Sequence, residues 1–281
     1  MLRDGEHVLS NKISVVMPAY NEAVHILDNL RETVATMESL GRPYEVILVD
    51  DGSPDDTYHS ASRALAENTD NVKVVRYHRN AGKGNALMCG FRYCTGEIVV
   101  FLDADMDLHP AQIPRLIEPI DAGFADVVVG SKWHPKSDVN YPFVRKAWST
   151  GYSFLVKLLF GLPLRDTQTG LKAFRAAVLA RVFPRVLAKR FAFDVEVLVN
   201  AHHLGYRIVD VPVSLRFKRG TFGRVGIADV WDVFVDTLAI FYRLQITRYY
   251  DAVGEAAARN SVDPNDVELY VGERESEVIN V

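Results

Sequence analysis

The sequence predicts an α/β protein: a mixed, mostly parallel sheet with flanking helices, followed by C-terminal amphipathic helices. Two observations carry that expectation. Apolar, strand-length runs alternate with helix-length segments through the first 130 residues, the pattern of a parallel sheet with crossover helices. A polar motif then follows most of these runs, at the edge where open α/β sheets bind ligands.

The first run, Lys12 to Met17, leads through Pro18-Ala19-Tyr20-Asn21-Glu22 into a helical stretch ending near Leu40. Glu45 to Val49 repeats the design, closing in Asp50-Asp51-Gly52-Ser53 before a helix from about Asp56. Val72 to Tyr77 is the third strand and ends at Arg79-Asn80-Ala81-Gly82-Lys83-Gly84. Ile98 to Leu102 is the fourth, and Val127 to Gly130 the fifth. After Gly130 the alternation breaks. Arg145 to Leu162 carries Trp148, Tyr152, Leu155 and Leu159 at helical spacing, with Phe154 and Leu158 widening the face. Ile227 to about Arg248 sets Ile227, Trp231, Phe234, Leu238 and Phe241 on one stripe, with Asp229, Asp232 and Asp236 elsewhere. Each stripe suits packing against the sheet or docking on a bilayer surface. The chain thus divides into an N-terminal extension (1–11), one folded domain (12–225), an amphipathic helix (226–251) and an acidic stretch without periodicity (252–281), expected as a mobile tail.

Composition narrows the class. The 281 residues are 48% apolar and 24% charged, which suits a globular protein with a substantial core. Two cysteines, Cys89 and Cys94, argue against a disulfide framework or a Cys-built zinc site and fit a reducing compartment. The N-terminal MLRDGEHVLSNK lacks the apolar region of a signal peptide. No run reaches the roughly 18 apolar residues of a spanning helix, so the chain is expected to be soluble or to lie on a membrane surface. The net charge of -4 conceals an uneven distribution: Ser131 to Arg224 holds 17 Lys and Arg against 5 Asp and Glu, a local +12. Such a segment suits a doubly anionic substrate, a phosphate-bearing acceptor or an anionic membrane. Nucleic acid is not expected, because no aromatic-basic ladder or zinc-finger spacing accompanies the charge.

Chemistry concentrates at Ile98 to Asp107, IVVFLDADMD, where an apolar run ends in Asp103, Asp105 and Asp107. Side chains two apart on an extended chain point the same way, so these carboxylates can converge past the strand end. Converging anions repel unless a cation sits among them, and hard oxygen ligands suit Mg2+ or Mn2+ with substrate phosphates completing the shell. A solvated acidic turn, or a helix N-cap at Asp107, would leave the same pattern. Asp50 to Ser53 offers acceptors for a base or ribose hydroxyls, or simply a capped helix start. Gly82-Lys83-Gly84 offers close backbone approach and one cation to a diphosphate, without the longer glycine spacing of a P-loop.

Taken in order, VVMPAYNE (Val15 to Glu22), VDDGSPDDT (Val49 to Thr57), RNAGKGNAL (Arg79 to Leu87), DADMD (Asp103 to Asp107), GSKW (Gly130 to Trp133), DTQTGLKAFR (Asp166 to Arg175) and FAFDVEVL (Phe191 to Leu198) resemble the polyprenyl-phosphate hexosyltransferases. These are the dolichyl-phosphate mannose and glucose synthases among the inverting family-two glycosyltransferases of GT-A, Rossmann-like fold. The resemblance spans roughly residues 12 to 225, and DTQTGLKAFR with FAFDVEVL looks closer to the glucosyl branch. It implies a nucleotide sugar donor, UDP-hexose or GDP-mannose, with Pro18, Tyr20, Glu22 and Asp51 around the nucleoside. Asp103 and Asp105 would serve the metal and the sugar diphosphate. Asp107 stands where mannosyl relatives often carry Gln, and Lys132 where many place Arg. Arg145 and Ser149 match an Arg-x-x-x-Ser that would face a polyprenyl-phosphate acceptor. The relatives' later Gly-x-Ser-Lys survives only as Arg219-Gly220-Thr221-Phe222-Gly223-Arg224. The chain is expected to be cytoplasmic and peripheral on a membrane, and the missing spanning run leaves room for a separate anchoring subunit.

An ionised lipid phosphate needs no strong general base, but it does need cations to approach a second anion. Lys132, Arg145, Arg216, Lys218, Arg219 and Arg224 are the candidates. A hydroxyl acceptor would instead require a base, with Asp194 or Glu196 the candidates; otherwise these two would orient Lys172, Arg175 or the sugar. The Glu-Asp pair usual in hydroxyl-glycosylating relatives is absent, and Gln245-Ile246-Thr247-Arg248-Tyr249 only partly echoes their Gln-x-x-Arg-Trp. Two rivals are an Asp-x-Asp phosphatase or phosphomutase, whose motif normally ends a first strand rather than a fourth, and a non-catalytic sugar-nucleotide or membrane-surface binder.

Overall fold

Strands β1 (Ile13–Ala19), β2 (Tyr44–Asp50), β3 (Val72–Tyr77) and β4 (Ile98–Phe101) are buried along most of their length, as strands covered by helices on both faces must be. A computed structural model describes residues 11–67, 70–139, 143–189, 192–215, 227–253 and 267–271. The four strands pair in parallel, and their crossovers are α1 (Ile26–Ser39), α2 (Thr57–Glu67) and α3 (Lys83–Phe91). Helix α4 (Ile113–Asp121) leads to β5 (Val127–Ser131), the short β6 (Asp138–Val139) and α5 (Phe143–Phe160). Then come β7 (Lys172–Arg175), α6 (Ala176–Val182), α7 (Phe193–His203), β8 (Ile208–Pro212) and β9 (Ser214–Leu215). Helices α8 (Ile227–Phe241) and α9 (Tyr249–Ala252) precede the last strand, β10 (Val267–Val271).

Alternate residues of each strand feed opposite cores. Val16, Ile47, Val49, Val99 and Phe101 pack with α3, α6 and α7 on one face. Val15, Met17, Val46, Leu48 and Val100 pack with α1 and α4 on the other. At roughly 25 cal/mol per Å² of apolar surface, these two layers dominate the stability of the sheet and hold its strand ends in fixed register.

The eight-stranded sheet runs β10-β3-β2-β1-β4-β7-β5-β8. Three of its strands, β7, β8 and β10, lie outside the five runs that the sequence predicts. β7 is antiparallel to both β4 and β5, so its first residue, Lys172, lies opposite Phe101 at the end of β4. Part of the stretch expected as a tail supplies β10, antiparallel to β3; Val267, Leu269 and Val271 carry a period-two pattern inside acidic surroundings. The N-terminal extension lies outside the described residues except for Asn11.

The helical stripes also sort differently from either expectation alone. Tyr152, Leu159 and Phe241 pack against the core, and Tyr152 hydrogen-bonds Thr237 across α5 and α8 at 2.8 Å. Phe154 (68% exposed), Leu158 (71%) and Trp231 (64%) face outward, with Val235, Leu238, Tyr242 and Ile246. Among the described residues no helix is long and apolar enough to cross a membrane.

One buried carboxylate ties the opposite end of the sheet. Glu45 accepts hydrogen bonds from Ser14 Oγ (2.6 Å) and Thr95 N (2.5 Å), and pairs with Lys73 (2.9 Å) and Lys12 (3.2 Å). Burial opposes its ionisation, but Ser14, Thr95 and Lys73 outweigh burial and bring it down to about 2. A carboxylate depressed on folding stabilises above its unfolded pKa, and that stabilisation is lost as pH falls towards 2. Glu45→Gln should therefore lower urea-unfolding free energy by on the order of 3 kcal/mol near pH 6, with the deficit shrinking steadily below pH 4. A deficit independent of pH would mean that shape, not charge, is what Glu45 contributes.

Candidate active site

The ends of β1, β2, β3 and β4 share one edge of the sheet, and the start of antiparallel β7 joins them there. β1 delivers Pro18, Tyr20 and Glu22. Tyr20 is 40% exposed, Pro18 is half-buried, and Glu22 is buried at the entry to α1. The Glu22 main-chain N–H donates to Thr57 Oγ1 at 2.8 Å, fixing this loop to the start of α2.

Asp51 carries more structural duty than the sequence suggests. Its carboxylate accepts from Tyr77 Oη (2.6 Å), Ala81 N (2.8 Å), Gly82 N (3.0 Å) and Asn80 Nδ2 (3.1 Å). It thereby clamps the β3–α3 loop that presents Lys83. Gly52 makes the approach feasible: its φ is +65°, and a Cβ there would lie 2.7 Å from the Arg79 carbonyl carbon and Asn80 N.

Past β4 the chain stops being extended. Met106 adopts φ 59°, and Asp105 accepts from the Asp107 N–H at 3.1 Å. Ala104, Met106 and Leu108 turn into the core, which leaves the three aspartates half-buried on the outer side of the turn. Leu108 bridges to Leu215 and anchors the turn's far end. Burial, then the neighbouring Asp103 and Asp107 charges, push Asp105 up to about 7. The expectation of three converging ligands needs correction: among the described residues no set of three or more His, Cys, Asp or Glu is arranged to hold a metal ion. The extended-chain argument fails because the strand ends at Phe101, before the first carboxylate. Asp103 and Asp105 still suit a hard divalent cation. Both offer carboxylate oxygens, they repel each other as charges at one small site, and two protein ligands leave places for diphosphate oxygens.

Lys83 Nζ lies 2.6 Å from Asp103 and 4.0 Å from Asp194. Asp194, in the first turn of α7, pairs at 2.8 Å with Lys172, whose side chain is 1% exposed; the Lys172 ammonium also donates to the Thr169 carbonyl. Burial lowers the Lys172 pKa, and the nearby Lys83 adds to this against the pull of Asp194. Burial opposes ionisation of Asp194, but Lys172 and Lys83 outweigh it and hold the carboxylate below its usual range. Gly170, which sequence reasoning missed, completes the floor: a Cβ there would sit 1.8 Å from Asp103 Oδ2. Its only signal was its place in the polar motif Asp166 to Arg175, two residues before Lys172.

Other candidates divide clearly. Lys132 pairs with buried Asp166 at 3.1 Å, and its main-chain N–H donates to the same carboxylate. Arg145 belongs to the first turn of α5, but its side chain and that of Ser149 lie outside the described residues. Arg216, Lys218, Arg219 and Arg224 also lie outside them. Glu196 is removed from the site. Fully buried, it accepts from Leu187 N (2.9 Å), Ala188 N (2.6 Å) and Tyr250 Oη (2.5 Å). Residues two apart on a helix diverge by about 200°, so Asp194 and Glu196 serve different surroundings.

Solved structures share this architecture. Glucosyl-3-phosphoglycerate synthase from Mycobacterium tuberculosis, in complex with phosphoglyceric acid, superposes with a TM-score of 0.63 over 83% of this chain and 79% of that one, at 22% identity. The same enzyme with Mn2+, UDP-glucose and phosphoglyceric acid gives 0.62 over 83% and 79%, at 21% identity. The mixed, mostly parallel sheet with its flanking helices is thus the GT-A arrangement. Residues 14–183 match the model of Glycosyl transferase family 2, and the chain belongs to that family. Glycosyltransferase AglD of Haloferax volcanii is 34% identical over 214 residues, 75% of this chain and 34% of that protein. Undecaprenyl-phosphate 4-deoxy-4-formamido-L-arabinose transferase of Enterobacter is 34% identical over 201 residues, 69% of this chain and 60% of the relative. The chain therefore spans about a third of the first relative and three fifths of the second.

Proposed function

We propose that the chain is a metal-dependent inverting glycosyltransferase that moves a hexose from a nucleotide sugar, UDP- or GDP-linked, to polyprenyl phosphate. The observation that carries this reading is the Asp103–Asp105 turn held against Lys83 at the strand-end edge, an anionic seat with a cation beside it. A divalent metal, Mg2+ or Mn2+, would be held by Asp103 and Asp105 and would supply charge neutralisation to the leaving diphosphate. Pro18 and Tyr20 bound the nucleoside side, and Asp51 fixes the loop that aims Lys83. A lipid phosphate oxygen bonds to the anomeric carbon as the carbon–oxygen bond to the diphosphate breaks on the opposite face, its electron pair leaving with the nucleotide.

The state of Asp194 supports an acceptor that is already ionised. A general base works best with a pKa near the operating pH, whereas Asp194 is held low and occupied by Lys172. The undecaprenyl-phosphate transferases to which the chain is similar support the same acceptor class. The assay is direct: purified protein with each labelled nucleotide sugar, with and without polyprenyl phosphate. Metal-dependent label in the organic phase is the expected result. Label released only as a water-soluble phosphate or sugar would overturn the reading.

The outward stripe on α5 and α8 supports work at a membrane surface. Trp231→Ser with Leu238→Ser should weaken sedimentation with anionic liposomes by about 100-fold or more, since each buried apolar side chain is worth about 1.5–3 kcal/mol. Thermal stability should hold, because both residues are exposed. Undiminished liposome binding would assign the stripe elsewhere.

A further inference from the structure

We propose that Lys83 is a displaceable counter-cation of Asp103, competing with the divalent metal for that carboxylate in the nucleotide-free protein and released towards the donor diphosphate when the metal binds. The inference rests on the diphosphate donor proposed above. Four groups alternate in charge through successive contacts: Lys172, Asp194, Lys83 and Asp103. Three of them are backed by close neighbours. Lys172 is enclosed, with Asp194 at 2.8 Å and the Thr169 carbonyl as partners. Asp194 is held by Lys172 on a buried helical turn. Asp103 is wedged over Gly170, where no space remains even for a methyl group.

Lys83 is the exception, a four-carbon stem with its ammonium 2.6 Å from Asp103 Oδ1 and 4.0 Å from Asp194 Oδ2. An ammonium at that distance and a divalent ion cannot share one carboxylate oxygen, because the cations would repel at close range in a partly buried site. The displaced ammonium keeps Asp194 as its second anchor, and so stays beside the acidic turn where a diphosphate would bring two further negative charges. Asp194 and Lys172 are accordingly positioning residues: they hold Lys83 within reach without touching the reacting atoms.

The test reads metal binding rather than turnover. Free Mn2+ would be followed by electron paramagnetic resonance during titration of wild type, Lys83→Gln and Lys83→Arg, each checked for folding by circular dichroism. Without nucleotide, Lys83→Gln should bind Mn2+ about 10-fold more tightly, the effect of deleting a cation adjacent to the ligand. Lys83→Arg keeps the charge and should stay near wild type. With saturating Mn2+, Lys83→Gln should bind UDP or GDP about 10-fold more weakly. A merely structural lysine would weaken both, so unchanged or weaker Mn2+ binding by folded Lys83→Gln overturns the proposal. Wild type that binds Mn2+ but neither nucleotide would defeat the donor reading instead, leaving the Mn2+ comparison to judge Lys83 by itself.

Discussion

Asp105→Asn should abolish sugar transfer while leaving the protein at least as stable as before. The two effects share one cause. Asp105 sits half-buried between Asp103 and Asp107, and burial with those two charges pushes its pKa up to about 7. An acid whose pKa is raised by folding weakens the fold above its unfolded pKa, because the native state resists the charge that the unfolded chain accepts. Asparagine keeps the shape and removes the charge, so the melting temperature without ligand should be unchanged or higher by about 2–4 °C. The same substitution deletes one of two carboxylates suited to the metal. Transfer should fall on the order of 10²- to 10³-fold or more, and the stabilisation that Mn2+ with nucleotide gives the native state should vanish. Thermal melts with and without Mn2+ and UDP or GDP, beside the lipid-acceptor assay, report both halves. A variant that melts earlier without ligand would show Asp105 to be structural. One that keeps full activity would remove it from the metal seat.

That opposition of stability and function explains which parts of the molecule were legible in sequence. β3 occupies the run Val72 to Tyr77 as expected, and β1, β2, β4 and β5 differ by a residue or two at their ends, because strands buried on both faces must be written as continuous apolar runs. β7 is four residues, Lys-Ala-Phe-Arg, flanked by charge at both ends and hidden inside a polar motif; nothing local marks it as a strand, and its pairing with β4 and β5 is a tertiary fact. The stripes on α5 and α8 were visible as periodicity, yet periodicity fixes a face and not its direction, and Trp231 and Leu238 turned outward. At the site, the strand-end aspartates stood out because charge interrupted an apolar run. Glu196 looked equally functional. Only its partners, Tyr250 from a segment 54 residues away and the 187–188 main chain, reveal it as a brace. The Lys172–Asp194 pair was half visible, as a lysine in one motif and a carboxylate in the next, without the burial that gives the pair its meaning.

Gly170→Ala should disable the site through a single methyl group. Gly170 is not among the residues with positive φ, so alanine meets no backbone penalty there, and the whole effect is steric. The new Cβ would lie 1.8 Å from Asp103 Oδ2, 2.3 Å from Cγ and 3.0 Å from Cβ. A long side chain could bend its far end away; an aspartate has only two torsions, and leaving Gly170 means leaving the rotamer that meets Lys83. Overpacking of this kind costs about 1–3 kcal/mol, which a domain with two extensive cores should survive. Misplacing a ligand by an ångström costs about 100-fold in a preorganised site, so nucleotide binding with Mn2+ and lipid glycosylation should both drop by roughly that factor. Gly151→Ala supplies the contrast. Gly151 lies within α5, where a Cβ would meet nothing within 4 Å, and replacing a helical glycine there should stabilise by about 0.5–1 kcal/mol with activity intact. The same chemical change thus gives opposite results at two glycines, and the difference lies in what stands above each. If Gly170→Ala binds Mn2+ and nucleotide like wild type, Asp103 is free to move, and neither its seat nor its hold on Lys83 is as fixed as the geometry requires.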